Sequence, residues 1–352
     1  MKHFLLFLSF PILLISCKSD DNPQPQDGDY HNGIFVTNEG PFQNGTGAIT
    51  FISDVGEVTQ EIFKKANQKD LGNIVQSMYL YGDRAFIVVN NSHKIEVVNQ
   101  FSFKELAVIE GSFINNPRYF VAINNKGYIS NWGNPQDPND DFVAVINLDD
   151  YSLITTISVA EGPEKMLLKD NDLYVALQGG YGFNNKVVQI NTQNNTLSQV
   201  FTVGDVPIGI EKDDNGVVWI LCQGIPNYAS GLTETGGNLI KIENNQIVEN
   251  FSFASETVHP KNLSIDNGNI YFTINDAVFK MENTALVIPN NPISGITGNF
   301  YTIKAKAGKL YVTDASDYVS EGKLKVFNLN SASLLGEYET GIIPGEIIFQ
   351  NN

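Results

Sequence analysis

The sequence predicts an all-β fold: a seven-bladed β-propeller of four-stranded antiparallel blades, its ring closed by a C-terminal strand, 344–349, in the first blade. Three observations predict it. One aromatic phrase recurs seven times. Each copy is flanked by hairpin signals and alternating strands. The last residues of the chain look like the strand that the first copy lacks.

The phrase is a turn residue, an apolar residue, an aromatic, another apolar residue and a small or branched one. It appears as Gly33-Ile34-Phe35-Val36-Thr37, Ala85-Phe86-Ile87-Val88, Gly127-Tyr128-Ile129-Ser130 and Leu173-Tyr174-Val175-Ala176. It returns as Val218-Trp219-Ile220-Leu221, Ile270-Tyr271-Phe272-Thr273 and Leu310-Tyr311-Val312-Thr313. The aromatic column stands at 35, 86, 128, 174, 219, 271 and 311, in steps of 51, 42, 46, 45, 52 and 40 residues. Only 11% of the chain is aromatic, so an unbroken column is a pattern and not composition. A period of this size marks a repeat architecture. The column is expected to pack sheet against sheet.

Each unit holds more than one strand. Before the aromatic comes a short strand and a tight turn, as in Asp214-Asn215-Gly216, Asp266-Asn267-Gly268 and Asn125-Lys126-Gly127. Asn and Gly accept positive φ, which hairpins need. After it come a loop and an alternating strand, such as Lys94-Ile95-Glu96-Val97-Val98-Asn99 or Val187-Val188-Gln189-Ile190-Asn191. A more polar fourth strand follows. Four antiparallel strands in roughly 45 residues make a propeller blade. No stretch shows sustained helical periodicity.

Closure follows from the ends. Pro344-Gly345-Glu346-Ile347-Ile348-Phe349 resembles the strands that open other blades, Pro163-Glu164-Lys165-Met166-Leu167-Leu168 and Pro207-Ile208-Gly209-Ile210. Residues 31–37 already hold the aromatic phrase, so 344–349 should supply the missing first strand and pair with 33–37. Closure removes exposed sheet edges.

The formal charge is −17, or −18 once residues 1–16, which hold one Lys, are removed. Such a surface repels phosphate backbones and anionic headgroups, which sets nucleic-acid binding aside. Lys2 precedes an apolar run from Phe4 to Ile15, too short for a permanent membrane span and typical of a signal peptide. The run ends in Leu14-Ile15-Ser16-Cys17, a match to a bacterial lipobox. Residues 1–16 are therefore read as a lipoprotein signal peptide and Cys17 as the lipidated N-terminus of the mature chain; its acyl chains would suffice for stable attachment. Lys18-Ser19-Asp20-Asp21 resembles a surface-export signal. Residues 17–30, rich in Asn, Pro, Gln and Asp, read as a flexible tether, and 31–352 as the propeller. The other cysteine, Cys222, lies in an apolar run and reads as a buried, inert thiol.

Loops from strand 2 to strand 3, and those entering strand 1, open on one face around the channel mouth. The strand 2–3 loops are long: 38–47, 131–141, 178–185, 223–237 and 314–322. Long loops on one face of a rigid scaffold carry function. They offer flat aromatics (Phe42, Trp132, Tyr181, Phe183, Tyr228, Tyr318) and amides such as Asn38, Asn44, Asn131, Asn134, Asn184, Gln223 and Asn227. Their glycines let backbone approach a ligand closely. The mixture suits a large ligand with a planar face and many hydrogen-bonding groups, although turns and loop staples use the same residues. The strand 1 entries add Arg118, Lys165, Lys261 and His259. Those cations stand to meet carboxylate or phosphate on a ligand, or to pair with neighbouring acidic blades.

Enzymatic signals are poor. The histidines are not at metal-ligand spacing, and G-x-S-x-G, H-E-x-x-H and C-x-x-C are absent from the sequence. The expectation is a binding protein, with no catalytic residues, no metal and no cofactor. Glu39, Asn38 and Asp314 keep open a calcium-dependent propeller hydrolase.

Asn38-Glu39-Gly40, Gly179-Gly180-Tyr181, Tyr311-Val312-Thr313-Asp314-Ala315-Ser316-Asp317-Tyr318-Val319 and a final Gly341-x-x-Pro344 carry a resemblance. Over nearly all of 31–350 the chain resembles the YncE-like, YVTN-type (DUF5074) surface propellers of Bacteroidetes. Within them it is similar to the BtuG-type cobalamin-capturing lipoproteins, which cap a TonB-dependent outer-membrane transporter and hand over their ligand. The resemblance implies cobalamin or a related corrinoid as transported ligand, held at the loop face, and a transporter partner for an otherwise monomeric protein on the extracellular side of the outer membrane. Asp314, Asp317 and Tyr318 match the shared phrase. Loops 131–141 and 223–237 do not, and they would set ligand identity. The same scaffold serving a glycan, siderophore or peptide for a different transporter is the alternative.

Overall fold

A computed structural model describes residues 28–350 apart from 43–44, 135 and 230. Seven antiparallel sheets form seven blades. Blade 1 runs from the centre outward as Pro344–Phe349, Gly33–Asn38, Ala48–Ser53 and Val58–Thr59. Blade 2 follows with Val75–Tyr81, Arg84–Val89, Lys94–Asn99 and Glu105–Glu110, and blade 3 with Pro117–Ile123, Lys126–Asn131, Phe142–Asn147 and Leu153–Ser158. Blade 4 is Pro163–Lys169, Asp172–Leu177, Lys186–Asn191 and Thr196–Thr202; blade 5 is Pro207–Lys212, Val218–Cys222, Asn238–Glu243 and Gln246–Ser252. Blade 6 has three strands, Lys261–Asp266, Asn269–Ile274 and Ala277–Glu282. Blade 7 is Thr302–Lys306, Lys309–Asp314, Glu321–Asn328 and Leu334–Ile342.

Blade 6 departs from the four-strand rule for a local reason. Residues 283–301 carry Pro289 and Pro292, which cannot donate to a ladder. This segment meets the blade through single contacts instead, Ile293 N–H to the Val278 carbonyl and a bridge between Ala277 and Thr297.

The ring closes as the chain ends predict. Ile34 pairs with Phe349, Phe35 with Ile348 and Val36 with Ile347. The inner strands touch in sequence around the ring, the closing strand packing beside those of blades 2 and 7. Each column aromatic faces the next blade. Phe35 packs on blade 2, Phe86 on blade 3, Tyr128 on blade 4, Tyr174 on blade 5, Trp219 on blade 6 and Tyr271 on blade 7. Tyr311 completes the circle against blade 1 through Phe349, ring centroids 4.8 Å apart.

The propeller begins earlier than residue 31. Tyr30 is buried, meets Phe51 and Phe103 edge-on, and donates its N–H to the Phe101 carbonyl. An aromatic inside an otherwise polar tether is the signal for this. The turn before Tyr128 also sits one residue early, at Asn124 and Asn125 with φ of 50° and 62°. The signal peptide, Cys17 and the tether up to 27 lie outside the described residues, as does Asn44.

Candidate functional site

Strand direction puts the strand 2–3 loops and the strand 1 entries at one end of the channel, and one repeated device joins them. The residue before five of the seven inner strands turns into the left-handed region: Ile74 (φ 60°), Asn116 (49°), Gly162 (78°), Val206 (56°) and Ile343 (53°). Its carbonyl then points at the loop and accepts an N–H from it. Asn90 donates to Ile74 at 2.8 Å, Trp132 to Asn116 at 3.2 Å, and Gln178 to Gly162 at 2.8 Å. Gln223 donates to Val206 and Glu39 to Ile343, both at 2.9 Å. Glu39, Trp132, Gln178 and Gln223 are thereby fixed at the start of their loops, around the mouth of the channel.

The richest cluster joins blades 3 and 4. Arg118 donates through Nε and a terminal nitrogen to Glu164 Oε1, at 2.9 and 2.7 Å. Its guanidinium carbon lies 4.1 Å from the centre of the Trp132 ring. Trp132 donates Nε1–H to the Pro163 carbonyl, and Tyr181 meets the indole edge-on at 5.9 Å. Gln178 donates to the same Glu164 oxygen at 2.9 Å, while Oε2 is buried without a protein partner. Arg118 is thus committed to the protein: it holds the aromatic shelf instead of awaiting a ligand anion.

Below the shelf Asp141, buried, accepts the Gly162 N–H at 2.6 Å. Burial first, and then the charges of Asp140, Glu161 and Asp137, push its carboxyl up to about 7. Glu161 accepts the Gly182 N–H at 2.8 Å, so the loop bearing Tyr181 and Phe183 is pinned to the blade 4 entry. Gly162 is required there. A Cβ would stand 2.2 Å from the backbone nitrogens of Gly179 and Gly180.

Across the mouth, Tyr301 donates its hydroxyl to Glu39 at 2.6 Å and meets Tyr318 edge-on at 6.1 Å. Burial pushes both the Glu39 carboxyl and the Tyr301 phenol up. His259 lies between the Gln223 carbonyl, 3.1 Å away, and Glu234, 3.0 Å away, tying loop 223–237 to the blade 6 entry. Phe42, Tyr181 and Tyr228 are 69%, 70% and 80% exposed, with Phe183 and Tyr318 less so.

Three predicted contacts turn out to shape loops. Asn38 is buried, its amide nitrogen donating to Thr50 Oγ1 at 3.0 Å and to carbonyls of its own blade and its Oδ1 enclosed without a partner, so burial keeps it from a ligand at the rim. Asp314 accepts from Lys325 at 2.8 Å and from the Ser316 N–H. Asp317 accepts the Val319 and Ser320 N–H groups, which hold its carboxyl below the usual range. Asn38, Glu39 and Asp314 therefore have three separate sets of partners. Among the described residues no group of three or more His, Cys, Asp or Glu could hold a metal ion. Lys261 is exposed, and Cys222 is buried, its thiol pushed up by desolvation.

Behind the mouth the inner strands line a cavity of about 380 Å³. Lys304 and Glu211 form an ion pair in it, and Glu346 accepts the Met78 N–H at 3.2 Å. Lys165 projects into the same space. Glu164, Glu211, Tyr301, Lys304, Glu346 and Asp141 escaped the reading of the sequence. For Glu164 and Glu346 a signal exists: each stands one or two residues after the proline that opens an inner strand.

No helix among the described residues is long and apolar enough to cross a membrane. No curated protein sequence matches the chain. Solved structures do. The chain is similar to a hypothetical selenium-binding protein from Sulfolobus tokodaii, at 9% identity over 90% of this chain and 93% of that one, TM-score 0.65. A functionally unknown protein from Desulfotomaculum acetoxidans matches at 13% identity over 90% and 98%, TM-score 0.63. Apo AztD from Citrobacter koseri matches at 13% identity over 90% and 96%, TM-score 0.53. At such identities the likeness is one of fold alone. The sequence profile described as "Domain of unknown function (DUF5074)" matches residues 32–285, well over half of the chain, and the protein belongs to that family.

Proposed function

We propose that the protein is a lipid-anchored propeller on the outer face of the outer membrane. It captures cobalamin or a related corrinoid at its loop rim and passes it to a TonB-dependent transporter. The observation that carries this reading is the shelf of Trp132 and Tyr181 over Arg118. It belongs to a rim that also bears Phe42, Phe183, Tyr228 and Tyr318 in exposed positions. A corrin is broad and fringed with amides. Flat rings take its face, and the Gln223 amide and the surrounding loop backbone take its edge. The lipobox at Cys17 and the acidic residues after it support the location, and the family phrases support the ligand and the transporter. Capture and hand-off need neither catalytic residues nor a metal.

Titration of the purified protein with cyanocobalamin tests the reading. Binding at micromolar concentration or tighter is expected, weakened about tenfold by Tyr181→Ala, as for a rim aromatic that contributes on the order of 1.4 kcal/mol. No binding at micromolar concentration removes it. A glycan is the second reading, favoured by Asp137 and Glu161 beside the shelf, since carboxylates accept from sugar hydroxyls where aromatics stack on the ring. Saturation of the shelf by an oligosaccharide and not by cyanocobalamin would select it.

A further inference from the structure

The channel behind the rim contains two opposite charges that have not met. Arg118 is paired with Glu164, Lys304 with Glu211, and Glu39 receives the Tyr301 hydroxyl. Lys165 and Glu346 remain, both lining the cavity of about 380 Å³. They attract each other across it, yet among the described residues Lys165 makes no hydrogen bond or ion pair, and Glu346 accepts only the Met78 N–H. Both are half-buried, and partly desolvated charges left apart gain from a ligand that bridges them. A volume of this size lies within the range of small-molecule sites. Tyr119, Ser77 and Thr302 complete a polar wall.

We infer that the channel is a binding site of its own for a small zwitterion, its cationic end at Glu346 and its anionic end at Lys165. An amino acid is the simplest such molecule. A ligand with one charge satisfies one side chain and leaves the other without a partner, so a zwitterion is selected over an amine or a carboxylate. Salt bridges to both ends also fix its orientation along the channel. The inference does not rest on what the rim binds.

Calorimetric titration of the full-length protein with glycine and with 4-aminobutanoate, against acetate and methylammonium, tests it. At least one zwitterion should bind at about millimolar concentration or tighter, with both single-charge probes weaker by about tenfold or more. Lys165→Met and Glu346→Gln should each weaken zwitterion binding by about tenfold or more while the melting temperature stays within a few degrees. Glutamine keeps an acceptor for the Met78 N–H, and Lys165→Met tests the opposite end should Glu346→Gln fold poorly. The site is overturned if folded protein takes up neither zwitterion, if acetate or methylammonium binds as well as they do, or if a folded variant binds like the parent.

Discussion

Two regions of the ring lay a cation over an aromatic, with different consequences. At the rim of blades 3 and 4 Arg118 lies 4.1 Å over Trp132; at the seam where blade 7 meets blade 1 Lys306 lies 4.3 Å over Phe349. Arg118 is over-determined. Its side chain is 15% exposed, Glu164 grips it through two nitrogens, and Gln178 and the Pro163 carbonyl hold Glu164 and the indole in place. The seam is looser. Its buried cluster is Val36, Ile52, Leu324 and Ile347, and Tyr311 is half-buried where the other six column aromatics are buried. A groove of about 500 Å³ opens there, lined by Ile34, Tyr311, Tyr338 and Phe349. At the rim a buried ion pair ties blade 3 to blade 4; at the seam a thin apolar interface ties blade 7 to blade 1.

The largest expected effect tests that contrast directly. Arg118→Ala leaves the Glu164 carboxylate buried without its counter-ion and should cost about 3–5 kcal/mol. Lys306→Ala removes the Phe349 cation–π contact together with the side chain's other interactions and should cost less, about 1–2 kcal/mol. Urea midpoints at constant slope measure both. Equal losses would break the comparison, since the rim network would then add nothing to the packing beneath it.

That network is the part that the sequence kept hidden, and the reason is geometric. The aromatic column repeats locally, at the same strand position in each blade, so Phe35 through Tyr311 could be read by eye. Closure by Pro344–Phe349 was legible because the first phrase has no inner strand before it. Arg118 and Glu164 are 46 residues apart, Glu211 and Lys304 93, and Glu39 and Tyr301 262. Nothing local announces such pairs. They exist because inner strands of different blades converge on one channel. Asn38 was misread for the opposite reason. An amide at the end of a strand looks available, but its donors are taken by Thr50 and by backbone carbonyls of its own sheet.

A middle-sized effect separates rim from seam by pH. Asp141 holds the Gly162 N–H under the shelf with its carboxyl pushed up to about 7. The folded state thus keeps the proton more tightly than the unfolded chain, where an aspartate titrates near 3.9. The stabilisation is fully present below about pH 4 and is lost as pH rises through about 7. Asp141→Asn retains an acceptor for Gly162 and abolishes the titration. At pH 8 the variant should be more stable than the parent by on the order of 2 kcal/mol, with the difference shrinking towards pH 5. Trp132 fluorescence should follow the same profile, and Trp219, fully buried in the blade 5–6 interface, should not. A parent whose stability is flat between pH 5 and 8 would remove Asp141 from this account.

The smallest effect comes from the turn that both regions share. Gly162 opens blade 4 at φ 78° and Ile343 opens the closing strand at φ 53°. Glycine adopts the left-handed region at no steric cost, whereas a β-branched side chain is strained in it. The rim therefore carries no strain at this turn, and the seam does. Ile343→Asn keeps the carbonyl that accepts the Glu39 N–H and places a residue that tolerates the conformation. It should raise stability by about 1 kcal/mol, moving the melting temperature up by about 1–2 °C for a domain of this size. Gly162→Ala should change stability in the opposite direction, because its Cβ would meet the Gly179 and Gly180 nitrogens. A loss on Ile343→Asn would mean that the isoleucine side chain contributes more to the seam than its backbone strain removes, and the two turns would no longer differ.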